Sequence, residues 1–88
     1  MGPWTTGSIL VGYTRLDLPF KIPAANRLYV QDAPATGHAR LRFMAQLQAI
    51  LAEPRAAGVE PLRQALRNHG IKALVCRDEG PQAWREPQ

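Results

Sequence analysis

The chain has few of the features that form disulfides, span a membrane or direct secretion. It contains one cysteine in 88 residues, so an internal disulfide is excluded and a reducing compartment is favoured. No apolar run approaches the roughly 20 residues that span a bilayer. The amino end lacks the basic segment and following apolar stretch of a secretory signal. We therefore expect a cytoplasmic protein with no membrane partner.

Groups for catalysis and metal binding are equally scarce. Cys76 and the two histidines, His38 and His69, have a spacing that matches no structural zinc motif. A thiolate pair of Cys76 with His69 is one interpretation, and a small buried apolar residue in a strand is the favoured one. Asp78 and Glu79 are the only adjacent carboxylates, and no matched general acid and base is visible. We expect no enzyme activity, no catalytic residues, no metal and no cofactor.

The length bounds the protein to one domain over residues 1–88. A chain of this size buries roughly 60 to 65% of the surface that its unfolded form exposes, which leaves little room for an enclosed active site. The hydrophobic fraction of 45% is ordinary for a globular protein. The ends, at about 1–7 and 79–88, are predicted to be weakly ordered.

The amino-terminal third predicts strands. Residues 8–18 combine β-branched and aromatic residues, which predicts one strand with a bulge or a close backbone approach at Gly12. Apolar residues then alternate with polar residues and prolines as far as Pro23. Because Pro19 and Pro23 would both lack a donor on the same side, this segment is predicted to be an edge strand or an extended arm. A short second strand is predicted over 27–32.

The remaining residues predict two helices and a closing strand. Residues 38–53 carry an apolar stripe at helical spacing, and residues 60–69 lie between Gly58 and Gly70 with Pro61 near the first turn. Residues 71–77 are apolar on both faces, which predicts a central strand. The fold class is therefore α+β, in the order ββααβ, with a short sheet of two to three strands packed on an antiparallel helix pair. An open sheet edge would allow a homodimer or addition of a partner strand.

Positive charge is concentrated in the helical part of the sequence. The formal net charge is +4, and residues 33–72 alone hold six basic and two acidic residues. The predicted partner-binding residues are the four arginines expected to be exposed around the helix pair: Arg42, Arg55, Arg63 and Arg67. Such a surface attracts an acidic protein surface or nucleic acid. The excess of nine arginines over two lysines fits guanidinium chemistry at phosphates and carboxylates, and equally a GC-rich genome.

The start of the first helix is a second candidate site. Thr36, Gly37 and Arg40 follow a predicted strand, and free N–H groups at a helix start can hold an anion. The order of strand, glycine-containing turn and helix resembles the acetyl-CoA loop region of the N-acetyltransferase superfamily, with Gly37-His38-Ala39 as the loop. The family pattern begins with Gln or Arg, where this chain has Pro34. The resemblance implies a reduced acyl-CoA-binding domain.

Three functions follow from these features. The favoured one is a small, basic, non-catalytic binding protein that acts by occupying a macromolecular partner, preferably an acidic protein surface. Regulatory or inhibitory accessory proteins of bacteria and their phages are commonly of this kind, which is an association only. The alternatives are a DNA- or RNA-binding module that uses the arginine-rich helix pair and the acyl-CoA-binding domain. Aromatic residues do not interleave with the basic ones as stacking platforms do, so nucleic acid ranks second.

Overall fold

A four-stranded mixed sheet with two helices on one face forms the fold in a computed structural model, which describes residues 6–19 and 21–77. The elements are β1 (Ser8–Val11), β2 (Thr14–Asp17), β3 (Asn26–Val30), α1 (Gly37–Leu51), α2 (Val59–Asn68) and β4 (Ala73–Arg77). The strand order is β2-β1-β3-β4. Strand β1 is antiparallel to β2 and parallel to β3, and β3 is antiparallel to β4. The α+β class is confirmed, whereas the predicted sheet of two to three strands is wrong.

The fourth strand arises at Gly12, where one strand was predicted over residues 8–18. Gly12 (φ 64°) and Tyr13 form a two-residue connection between β1 and β2. Tyr13 is not among the residues with positive φ, so only the first central position is left-handed, as in a type II′ hairpin turn. A glycine inside a strand-like sequence is compatible with a bulge or with a turn. The pairing of Val11 with Thr14 decides for the turn.

The alternating segment after Asp17 is a loop, so the predicted edge strand or arm through Pro23 ends early. The Lys21 N–H donates to the Leu18 carbonyl (3.1 Å), and the Asn26 N–H donates to the Pro23 carbonyl (3.0 Å). Leu18 and Ile22 are buried in the core from this loop. The apolar alternation therefore reflects two loop side chains that point inward. The edge strand itself is β2.

The core is a single apolar layer between the helices and one face of the sheet. Ile9 of β1 and its register partner Leu28 of β3 are fully buried. They pack with Leu47 of α1 and with Leu62 and Leu66 of α2, which are also fully buried. The two helices lie within two residues of their predicted bounds at each end, because their apolar stripes face this layer.

The sequence predicted a central position for the last strand. In the structure, β4 lies at an edge of the sheet. Among the described strands it pairs only with β3. Leu74 and Val75 are each 38% exposed. Apolar residues on both faces of a strand indicate that both faces pack against other groups. They do not indicate whether another strand pairs with it on each side.

The predicted weakly ordered ends fall almost entirely outside the described residues. Of the predicted amino-terminal segment the structure describes positions 6 and 7, and Gly7 is buried, with its carbonyl accepting from the Leu18 N–H (2.7 Å). No helix within residues 6–19 and 21–77 is long and apolar enough to cross a membrane.

Gly58 provides a test of how the two helices are joined. Its backbone has φ 107° and ψ 157°, a region that side-chain-bearing residues essentially avoid. We expect Gly58→Ala to lower the free energy of unfolding by about 1 to 3 kcal/mol, measured by urea denaturation. The neighbouring exposed substitution Ala57→Ser is the control and should change it by less than about 0.5 kcal/mol. Equal unfolding midpoints for wild type and Gly58→Ala would contradict this account.

Candidate functional site

The four predicted partner-binding arginines occupy separate parts of the helical layer. Arg42 lies on α1 opposite the buried Leu47, because five residues at about 100° each place them on opposing sides. Arg55 lies in the connection between the helices, and Arg63 and Arg67 lie on α2. Arg63 is half-buried and the other three are exposed.

Arg55 is separated from Arg63 and Arg67 by the body of α2. Arg55 lines a groove of about 340 Å³ together with residues of the α1 end and one flank of α2: Ile50, Glu53, Ala56, Pro61, Gln64, Ala65, Asn68 and His69. At about 100° per residue, Arg63 and Arg67 project from the opposite flank of α2. The predicted set is therefore not one continuous surface.

Arg63 and Arg67 lie on the flank of α2 that does not line the Arg55 groove. Helix α2 contacts both α1 and β4, and its other flank lines the groove beside the α1 end. Two further exposed cations bracket β4, namely Lys72 just before it and Arg77 at its end. We call these four cations, Arg63, Arg67, Lys72 and Arg77, the basic edge.

Positive charge dominates the basic edge. Glu60 is the one acidic residue in α2 and β4, and its carboxylate accepts from the Arg63 guanidinium at 2.9 Å. Within the described part of the chain, Arg67, Lys72 and Arg77 have no ion-pair partner. The predicted partner-binding set left out Lys72, which was assigned to the closing strand, and did not include Arg77.

The second predicted site, at the start of α1, contains an arginine that ties the fold together. Arg40 donates through one terminal nitrogen to the Pro34 carbonyl (3.1 Å) and through the other to the Val11 carbonyl (3.1 Å) and Thr14 Oγ1 (2.9 Å). It therefore joins α1 to the β1-β2 hairpin. Thr36 is the N-cap residue and makes no side-chain capping bond. Thr36 and Gly37 are both exposed.

A second cation is also committed to the fold. Lys21 Nζ donates to the Glu53 carbonyl and, at 3.3 Å, to the Ala56 carbonyl. The Lys21 carbonyl accepts from the Gly58 N–H at 2.5 Å. These bonds hold the loop after β2 against the connection between the helices. The sequence shows Lys21 only as a polar residue in an alternating pattern.

Cys76 and His69 lie on different sides of the sheet. Cys76 is opposite Arg27 in the register of β4 and β3 and shares the face that lies away from the helices. His69 is exposed and lines the Arg55 groove on the helical side. The structure therefore does not bring this pair together. No cluster of three or more His, Cys, Asp or Glu side chains suited to a metal occurs in the described ranges.

The sheet face away from the helices contains buried polar groups. Ser8 and Arg27 are fully buried there, and Tyr29 is half-buried. Burial raises the pKa of the Tyr29 phenol above its ordinary value of 10.0, and a hydrogen bond from Arg27 lowers it by a smaller amount. The folded chain holds the phenol proton of Tyr29 more tightly than the unfolded chain does. The stability that this protonated phenol contributes is therefore complete below pH 10 and is lost as the pH rises through the folded-state pKa.

The titration of Tyr29 can be followed directly, because the chain has only two tyrosines. In Tyr13→Phe, tyrosinate absorbance at 295 nm reports Tyr29 alone, and Tyr13 is an exposed hairpin residue whose replacement should leave the fold intact. We expect the absorbance midpoint of the folded variant to lie above 10.0. A return of the midpoint to the ordinary value in urea is the control. A folded-state midpoint at or below that value would contradict the burial of this phenol.

Substitutions at Arg40 and Arg42 test whether the hydrogen bonds of Arg40 stabilise the fold. Arg40→Lys keeps the charge but cannot span three acceptors with a planar fork. We expect it to lower the free energy of unfolding by about 1 to 3 kcal/mol. Arg42→Lys is the matched control on the exposed side of the same helix and should change the value by less than about 0.5 kcal/mol. If the two variants unfold at the same urea concentration, the contacts of Arg40 do not stabilise the fold.

Comparison with known proteins adds no relative from which a function could be transferred. No family model, no curated protein and no solved structure matches the chain. The function must therefore be inferred from the basic edge and the residues around it.

Proposed function

We propose that the protein is a non-catalytic binding protein whose basic edge holds an acidic surface of a protein partner. The observation that carries this proposal is the placement of Lys72 just before β4 and Arg77 at its end, with Arg67 on the helix that contacts this strand. The carboxylate in this part of the chain, Glu60, is bound to Arg63. Several cations of one sign along one edge attract and orient an acidic partner before contact.

Only two of the four predicted arginines belong to the proposed binding surface. Arg63 and Arg67 belong to the basic edge. Arg42 projects from the outer side of α1, and Arg55 lies in the groove on the other flank of α2. Arg42 and Arg55 add to the net charge of +4 without adding to a shared surface, and we expect them to contribute only long-range attraction.

Charge alone would give a weak complex. An exposed ion pair contributes about 0.2 to 1 kcal/mol, so the basic edge mainly accelerates and orients association. Tight capture needs apolar burial as well, and Leu74 and Val75 of β4, each 38% exposed, supply apolar surface beside the cations. The combination favours a protein partner, because a phosphate backbone offers no apolar counterpart to these side chains.

Two double variants with the same net charge test the location of the site. Arg67→Glu with Lys72→Glu changes the basic edge, and Arg42→Glu with Arg55→Glu makes the same change elsewhere. All four residues are exposed, and circular dichroism checks that both variants fold. Using polyglutamate as the probe at low salt, we expect the first variant to lose about tenfold or more in affinity and the second about threefold or less.

The same titration with duplex and single-stranded nucleic acid distinguishes the partner class. Binding to nucleic acid should weaken steeply with salt, and we expect it to be weaker than polyglutamate binding at each salt concentration. Tighter binding of nucleic acid, lost in the first variant, would favour the DNA- or RNA-binding alternative. Equal losses in both double variants would show that net charge and not the basic edge determines binding.

A further inference from the structure

We infer that the outer side of β4 is a docking edge for an extended acidic segment of the partner, which pairs with β4 as a fifth strand. This inference rests on the proposed function and specifies how the partner is held. Three features of β4 support it: the direction of its backbone hydrogen bonds, its exposed side chains and the charges at its two ends.

The pattern of hydrogen bonds between β3 and β4 determines which backbone groups of β4 point outward. The Gln31 N–H donates to the Lys72 carbonyl at 2.9 Å, and these two residues continue the register in which Val30 pairs with Ala73. Antiparallel partners alternate between bonded and non-bonded pairs, so Leu74 and Cys76 direct their N–H and C=O toward β3. Their alternates, Ala73, Val75 and Arg77, direct theirs away from the sheet.

No described strand pairs with this outer side of β4. Leu74 and Val75 point to opposite faces of the sheet and are each 38% exposed. An added strand would therefore find an apolar neighbour on each face and a row of backbone donors and acceptors between them. Strand addition to an open edge takes its affinity from such main-chain bonds and its specificity from alternate side chains.

The charges at the ends of β4 define the chemistry of the added strand. Lys72 and Arg77 are exposed and five residues apart, which is about 17 Å along a strand. Arg67 adds a third cation from the adjoining helix. A complementary segment is extended, has apolar residues near its centre and carries carboxylates about five positions apart.

The other edge of the sheet lacks this complementarity. In β2 the residues that direct backbone groups outward are Arg15 and Asp17, because Thr14 and Leu16 bond to β1 in the hairpin. Arg15 and Asp17 form an ion pair at 2.7 Å, and Pro19 follows two positions later. The β2 edge is therefore balanced in charge.

A second copy of this chain fits the β4 edge less well than an acidic segment. Pairing two β4 strands would bring two basic edges together, and each chain carries a net charge of +4. Like charges brought to one edge repel. The homodimer considered from the sequence thus becomes an outcome that would overturn the inference.

Amide hydrogen exchange tests the inference residue by residue. The probe is a synthetic ten-residue peptide of four central valines flanked on each side by three glutamates, so that carboxylates lie five positions apart across the valines, and the control is the same peptide with alternate backbone nitrogens methylated. In the free protein, the Leu74 and Cys76 amides should be protected and those of Val75 and Arg77 should exchange fast. We expect the first peptide to slow Val75 and Arg77 exchange about tenfold or more, and the methylated peptide to leave it unchanged.

A proline substitution tests the edge without removing charge. Val75→Pro deletes an outward donor and keeps the bonds from Leu74 and Cys76 to β3, since proline is tolerated on a free edge. Val75→Thr keeps the donor and the branched shape and is the control. We expect Val75→Pro to weaken peptide binding about tenfold and Val75→Thr to stay within about threefold. Retained protection of Leu74 and Cys76 verifies that Val75→Pro folds.

The outcomes separate this inference from the proposed function. Peptide binding without protection of Val75 and Arg77, or unchanged binding by folded Val75→Pro, would overturn strand addition. The proposed function would still hold if Arg67→Glu with Lys72→Glu abolished polyglutamate binding. Protection of the outward amides in the free protein, or a dimer in sedimentation equilibrium that Val75→Pro dissociates, would show a different occupant. Failure of both polyglutamate and the peptide to bind would overturn both proposals.

Discussion

Both helices rest on one layer of apolar side chains on a single face of the sheet, and the positions of the other elements depend on that layer. Ile9 and Leu28 supply its sheet side, and Leu47, Leu62 and Leu66 supply its helix side, all fully buried. Segments at the margin of this layer are held by polar contacts as well.

Two long cationic side chains provide those contacts. Arg40 joins α1 to the β1-β2 hairpin through carbonyl and hydroxyl acceptors, and Lys21 joins the following loop to the connection between the helices. Charged donors form stronger hydrogen bonds than neutral ones, so a single residue can fix a segment that buries few apolar atoms. Part of the positive charge in the sequence thus serves the fold and is not available to a partner.

The cations that remain exposed are distributed unequally over the two edges of the sheet. The β2 edge carries the Arg15–Asp17 ion pair, whereas the β4 edge lies between Lys72 and Arg77 and beside Arg67. Electrostatic attraction acts over roughly 8 to 10 Å at physiological salt, and main-chain bonding acts only at contact. In the proposed complex, the first orients the partner and the second retains it.

The sequence by itself determined the α+β class, the two helices to within two residues and the breaks at Gly58 and Gly70. These features depend on apolar periodicity and on glycine and proline, which act within a few residues of the chain. The exposed positions of Arg42 and Arg67 also followed from helical periodicity, whereas Arg63 is half-buried and forms an ion pair with Glu60.

Only the tertiary structure decided that Gly12 is in a hairpin turn, that β4 lies at an edge and that Lys72 and Arg77 flank this edge strand. Strand neighbours are chosen by pairing between distant segments, so a strand of given composition can be central or peripheral. The guanidinium of Arg40 reaches the Val11 carbonyl 29 residues away, and no local pattern records such a choice. The proposed binding edge includes Lys72 and Arg77 for the same reason, because the exposure of β4 depends on what lies beside this strand and not on the residues within it.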